Sequence, residues 1–158
     1  MAQRPKIFLD ADVIFAGSAA PSTEGASYVI MQMAEITLLH CLTSEQVIIE
    51  VERNLANKLA GALPEFRLLM KRCVTVVPDL EARDLKAYVG QADPKDLPIL
   101  VAAIHEKCSH LLTFNVRHYN PTSDRVIIQR PGEFLQAVRS QLSTLSDPEA
   151  WNAGGGLP

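Results

Sequence analysis

The chain predicts an α/β fold with a mostly parallel central sheet and helices on both faces. Three observations carry this. Short apolar or β-branched runs (KIFLD, HCLT, CVTVV, HLLTF, VIIQ) alternate with stretches of helical period. Alternation of that kind requires crossovers, which make neighbouring strands parallel and lay helices on the sheet. The length of 158 residues suits one domain with a single core.

KIFLD reads as a short buried strand ending at Asp10. A helix follows from Ala11 to about Ala16, then a turn around Pro21 to Thr23. Residues 28–39 carry Val29, Met33 and Ile36 at helical spacing. HCLT is the second strand. Thr43 and Ser44 offer an N-cap to the next helix, with Gln46 at capping-box distance from Thr43. Val47, Val51, Leu55 and Leu59 recur every four residues, which predicts an amphipathic helix over residues 44–60. PEFRLLMKR is a shorter helix, CVTVV a strand and LEARDLKAYV another helix. Pro98 is tolerated only in a first helical turn, so the helix through Ile104 starts close to Lys95 or Asp96. HLLTF and VIIQ are later strands. PGEFLQAVRSQL closes the fold, with Pro131 near its start. Residues 1–142 are expected to form one domain, and residues 143–158, with Trp151 and a GGG run, a loosely ordered tail.

Composition narrows the function. With 47% apolar and 21% charged residues the body of the chain is not disordered. A net charge of −3 argues against a simple polybasic nucleic-acid binder, so contact with nucleic acid requires a local basic patch, a metal, or both. Cys41, Cys73 and Cys108 are odd in number and lack CxxC spacing. That pattern speaks against a disulfide framework or a zinc site and for reduced core thiols in a cytoplasmic protein. The opening MAQRPKIFLD has neither the length nor the flanks of a signal peptide or membrane span.

The chemistry lies at the ends of the apolar runs. Asp10 closes the first strand, Glu50 sits inside QVIIEVERNL, Asp93 and Asp96 lie in DPKDLPILVAA, and Asn115 follows HLLT. Carboxylates in such places are costly unless a cation meets them. Oxygen ligands of this kind suit magnesium or manganese. In open parallel sheets, ligands bind beyond the carboxyl ends of the strands, where Asp10 and Asn115 both fall.

Each residue also has a plainer reading. Asp10 can cap the next helix, and capping or surface exposure suits Asp12 better than a site role. Glu50 lies at or beside the buried face of its helix, flanked by Val47 and Asn54, where an unpaired carboxylate is disfavoured. Glu45 and Glu52 are solvated, and Arg53 can pair with a carboxylate or meet a phosphate. Of Asp93 and Asp96, one can cap while the other faces the site, and Asp96 is preferred for the site because Leu97, Leu100, Val101 and Ile104 pack inward beside it. Thr113 supports the strand end. Asn115 can offer an amide oxygen or orient water, or serve as a turn residue. His105 and His118 match no metal-binding spacing and are expected to be surface or core residues.

FLDADV, TSEQVIIEVERNL, DPKDLPILVAA, HLLTFNVRHYNP and IIQRPGEFL occur in the order and rough spacing of PIN-domain ribonucleases. The chain resembles most the VapC-like toxins of bacterial toxin–antitoxin pairs, over residues 6–135. The resemblance implies a three-layer α/β/α fold and a magnesium- or manganese-dependent endoribonuclease. It implies Asp10, Glu50 and Asp96 as metal ligands, with Asn115 at a position where relatives often carry Asp. It also implies a homodimer and a cognate antitoxin. The expected RNA-backbone contacts are Lys95, Arg53 and Arg117.

Two other readings stay open. FLDAD echoes the start of haloacid-dehalogenase phosphatases, although only Asp124 and Glu133 follow as possible later acids. The uncharged Asn115 also fits an RNA- or protein-binding module that no longer turns over.

Overall fold

The computed structural model describes residues 3–19 and 25–153. Five strands, β1 (Lys6–Leu9), β2 (His40–Ser44), β3 (Val74–Val77), β4 (His110–Leu112) and β5 (Ile127–Gln129), form one sheet in the order β3-β2-β1-β4-β5. Every neighbouring pair is parallel. The helices are α1 (Ala11–Ala19), α2 (Ala26–Glu35), α3 (Glu45–Lys58), α4 (Leu63–Cys73), α5 (Ala82–Leu85), α6 (Leu97–His105), α7 (Pro131–Ser143) and α8 (Pro148–Ala153). The arrangement is a three-layer α/β/α fold, as the alternation of elements predicts.

Strand β1 is central because its residues suit burial on both faces. Ile7, Phe8 and Leu9 are fully buried, and Leu42, Leu111 and Leu112 flank them on β2 and β4. Val47, Val51 and Leu55 bring the apolar stripe of α3 into the same core. Helix α1 packs on α2, α3 and α4. A side chain at Gly17 would run into the Met31 methyl group, so glycine there permits the close approach of α1 and α2. Cys41, Cys73 and Cys108 are free and buried.

Several boundaries differ from those expected, each for a local reason. Helix α2 stops at Glu35, not Leu39, because Thr37 adopts a left-handed φ of 69° and Leu38 N–H returns to the Met33 carbonyl. The LEARDLKAYV helix is only the turn α5 followed by a 3₁₀ turn at Lys86–Tyr88. The turn expected at Pro21–Thr23 lies outside the described residues. In the tail, a 3₁₀ turn at Thr144–Ser146 leads into α8, and residues 154–158 lie outside the described residues.

The N-terminus of α3 corrects the expected capping box. Ser44 occupies the N-cap position, but its hydroxyl makes no cap bond, and the Thr43 hydroxyl donates instead to the Leu9 carbonyl at 2.9 Å. The Gln46 N–H is met by Asp79 Oδ1 at 2.9 Å, a cap supplied from 33 residues away. Asp79→Ala should cost about 1 kcal/mol, read as a drop of about 2–4 °C in melting temperature.

Among the described residues no helix is long and apolar enough to cross a membrane.

Candidate metal centre at the β1–β4 crevice

The chain leaves β1 to one side toward β2 and returns on the other side as β4. Such a switch in strand order opens a crevice at the carboxyl ends of the two strands. Leu9 and Leu112 are partners, and the Asp10 N–H donates to the Leu112 carbonyl at 3.0 Å. Asp10 and Thr113 therefore emerge side by side.

Asp10 is only 6% exposed. Its Oδ1 accepts from the Ala11 N–H at 2.7 Å. Its Oδ2 accepts from the Thr113 hydroxyl at 2.9 Å and from the Tyr119 hydroxyl at 2.8 Å. Burial, with the Asp10 charge next, pushes the Tyr119 phenol well above its usual range and keeps it a donor. Thr113 in turn accepts the Asn115 N–H at 3.0 Å.

Asp96 comes from the start of α6. It takes the N-cap position by its backbone, but its side chain makes no cap bond. Instead Asp96 Oδ2 lies 2.9 Å from His118 Nδ1. An ionised Asp96 requires the Nδ1–H tautomer for that bond. Asp93, more exposed, lies 3.6 Å from the same nitrogen. Chain pairing delivers both acids: Ala92 bridges Tyr119, the Asp93 N–H donates to the His118 carbonyl at 2.8 Å, and the Asn120 N–H donates to Gln91 at 2.7 Å. Ligand-type atoms of Asp93, Asp96 and His118 all fall within 4.8 Å of one another. No equally tight set among the described residues joins Asp10, Glu50 and Asp96.

Glu50 requires a correction. It is exposed on α3, not set against the core. It still faces the crevice. Partial burial first, then the charges of Asp10 and Asp96, push its carboxyl upward, while Lys95 and Arg53 oppose them. Asp96 is raised too, by burial and then by Asp10, with the His118 bond and Lys95 opposing. Lys95 and Arg53 thus stand near Glu50, and Lys95 near Asp96 as well. Arg117 lies exposed on the 3₁₀ turn Val116–His118 and, among the described residues, forms no ion pair with them.

Sequence reasoning missed three residues. Asp12 does more than cap: its Oδ2 accepts from the Phe114 N–H at 3.0 Å and from Asn115 Nδ2 at 3.2 Å. Burial and then Asp10 push its carboxyl up to about 6. His118 holds Asp96, and Tyr119 holds Asp10. The DxD spacing was a legible signal for Asp12. Nothing local to the HY pair marks His118 or Tyr119, because their partners are 22 and 109 residues away.

These carboxyls give a signed pH dependence without added metal. A carboxyl raised in the folded state binds its proton more tightly there than in the unfolded chain. Stability therefore falls as pH rises from about 4 through about 6, the range spanned by Asp12. In chelator, the melting temperature should be higher at pH 5 than at pH 7. A lower value at pH 5 would contradict the crowding of acids described above.

The model of the PIN domain family matches residues 6–117. The chain belongs to the PIN domain family. Among solved structures, a chain of VapBC2 from Rickettsia felis, bound to a DNA fragment from its promoter, is similar at a TM-score of 0.56. The two are 16% identical, over 79% of this chain and 98% of that one, a likeness that bears on the fold alone. VapC20 of Mycobacterium tuberculosis, a Sarcin-Ricin loop cleaving toxin, is similar at a TM-score of 0.47 and 13% identity, over 66% of this chain and 86% of that one. A comparison with curated proteins found no match. The PIN match spans the Asp10, Glu50, Asp96 and Asn115 segments together, and it displaces the haloacid-dehalogenase reading.

Proposed function

We propose that this PIN domain is a metal-dependent endoribonuclease and the toxin of a toxin–antitoxin pair. The nuclease reading is supported by the PIN family match, together with acids at the end of β1, on α3 and at the start of α6, where Asp10 and Asp96 each push the Glu50 carboxyl up. Lys95 and Arg53 only partly offset this.

The donor set fits magnesium or manganese. It consists of the carboxylate oxygens of Asp10, Glu50 and Asp96, and a buried carboxylate oxygen with no hydrogen-bond partner, Asp12 Oδ1, lies beside it. Asp10, Glu50 and Asp96 would hold the ion. Magnesium keeps several waters, so three carboxylates need not touch one another to share it. Once bound, a divalent ion lowers the pKa of a water and offsets charge on phosphate oxygens. The chain's own residues prepare that chemistry. Ala11 N–H, Thr113 and Tyr119 fix the Asp10 carboxylate in one orientation. His118 does the same for Asp96. Lys95, Arg53 and Arg117 would meet the phosphodiester backbone in this reading, and Asn115 donates to Asp12.

The toxin role, the antitoxin partner and the homodimer rest on the VapC-like resemblance, with the fold shared by VapBC2 in support. A cytoplasmic setting suits three unpaired buried thiols. The uncharged Asn115 supports a second reading, a PIN module that binds RNA without cutting it.

Purified protein, single-stranded RNA and Mn²⁺ separate the two. Cleavage that requires the ion supports the nuclease. Tight binding without cleavage supports the module. Induced expression should arrest growth, and harmless expression of an active nuclease would end the toxin assignment alone.

A further inference from the structure

We infer that Asp12 supplies a fourth carboxylate to the metal-holding set, and that Asn115 is the positioning residue that aims it. The inference rests on reading the β1–β4 crevice as a divalent-ion site.

The two oxygens of Asp12 are unlike. Oδ2 is held by the Phe114 N–H at 3.0 Å and by Asn115 Nδ2 at 3.2 Å, with the Thr113 hydroxyl at 3.5 Å. Oδ1 is buried and accepts no well-formed hydrogen bond, although the Val13 N–H is close enough to favour the ionised carboxylate. A buried carboxylate oxygen left without a well-formed hydrogen bond is destabilising, and a cation beside it removes the deficit. The same Thr113 hydroxyl donates to Asp10 Oδ2 at 2.9 Å, so one side chain spans both acids. Asp12 also borders a cleft of about 200 Å³ together with Glu50. Attraction to the α1 N-terminus does not account for this arrangement, since an exposed acid in the first turn would serve equally. Nor does a latch on the 114–115 backbone, which needs only Oδ2.

Asn115 completes the logic. Its amide brings no charge, yet it donates to the carboxylate that does. Acid and amide can therefore exchange places across this 3.2 Å contact without changing the charge of the site.

The test is Mn²⁺ affinity of the full chain, read as free ion by electron paramagnetic resonance, with folding checked by circular dichroism. Asp12→Asn should weaken Mn²⁺ binding at least about tenfold, by analogy with the loss on removing groups that support metal ligands. The double exchange Asp12→Asn with Asn115→Asp should recover most of that loss, which a purely structural role for Asp12 would not allow. Asn115→Ala, which keeps every charge, should weaken binding several-fold, and it serves as the deciding variant if Asp12→Asn does not fold. Unchanged affinity in Asp12→Asn, or in Asn115→Ala as deciding variant, overturns the inference. If Asp10→Asn loses the ion at the same time, the site reading stands. An unaltered chain that binds no Mn²⁺ overturns both.

Discussion

Asp10→Asn should lower Mn²⁺-dependent RNA cleavage by about a thousandfold, or ~4 kcal/mol of transition-state stabilisation. The substitution removes charge and little else. Asp10 is held by three donors: the Ala11 N–H, the Thr113 hydroxyl and the Tyr119 hydroxyl. An asparagine keeps one carbonyl oxygen for the Ala11 N–H, and both hydroxyls can rotate to accept from its amide. The fold should survive, so lost cleavage reports on the charge. Asp10→Ala is a poorer probe. It strands those donors in a buried place, at about 1–3 kcal/mol for each group left unmet. Retention of more than a tenth of the activity in folded Asp10→Asn would remove Asp10 from the catalytic set.

Divalent ions should also raise the melting temperature. Ligand that binds only the folded state at a hundredfold excess over its Kd stabilises by about 2.7 kcal/mol. For a chain of this size that is roughly 5–10 °C. The direction follows from the site. Burial and mutual repulsion raise the carboxyls of Asp12, Glu50 and Asp96, so without an ion the crevice destabilises the fold near neutral pH. Sodium chloride at equal ionic strength screens surface charge but cannot coordinate, and it should give a much smaller shift. Equal melting temperatures in chelator and in saturating Mn²⁺ would mean that the acids hold no ion.

The fold was legible because it depends on pattern. The buried KIFL strand and the four-residue repeat of Val47, Val51 and Leu55 each report a period that burial alone selects. Boundaries set by single backbone torsions, such as the left-handed Thr37, left no trace in that pattern. The expected α3 cap failed for a related reason. Ser44 had the right identity and position, but the competing acceptor, Asp79, comes from the segment after β3.

The candidate site was legible only in part. Asp10 and Asp96 stand at element ends, where an acid is conspicuous. Glu50 was placed at or beside the buried face of its helix; it is exposed overall but lies next to buried Val47 and Val51, and partial burial is the first cause that raises its carboxyl. Asp12 was set aside because capping or surface exposure suited it better than a site role. The strand instead ends at Leu9 and the helix begins at Ala11, a turn that brings the Thr113 hydroxyl within reach of both acids. His118 and Tyr119 depend on the Ala92–Tyr119 bridge, a contact between distant loops with no local periodicity.

The most direct measurement is anomalous scattering from crystals grown with Mn²⁺. If the carboxylates converge as proposed, one peak will lie among Asp10, Glu50 and Asp96 at the carboxyl ends of β1 and β4. A peak held only by Asp93, Asp96 and His118, or no ordered ion at all, would contradict a shared metal centre in the crevice.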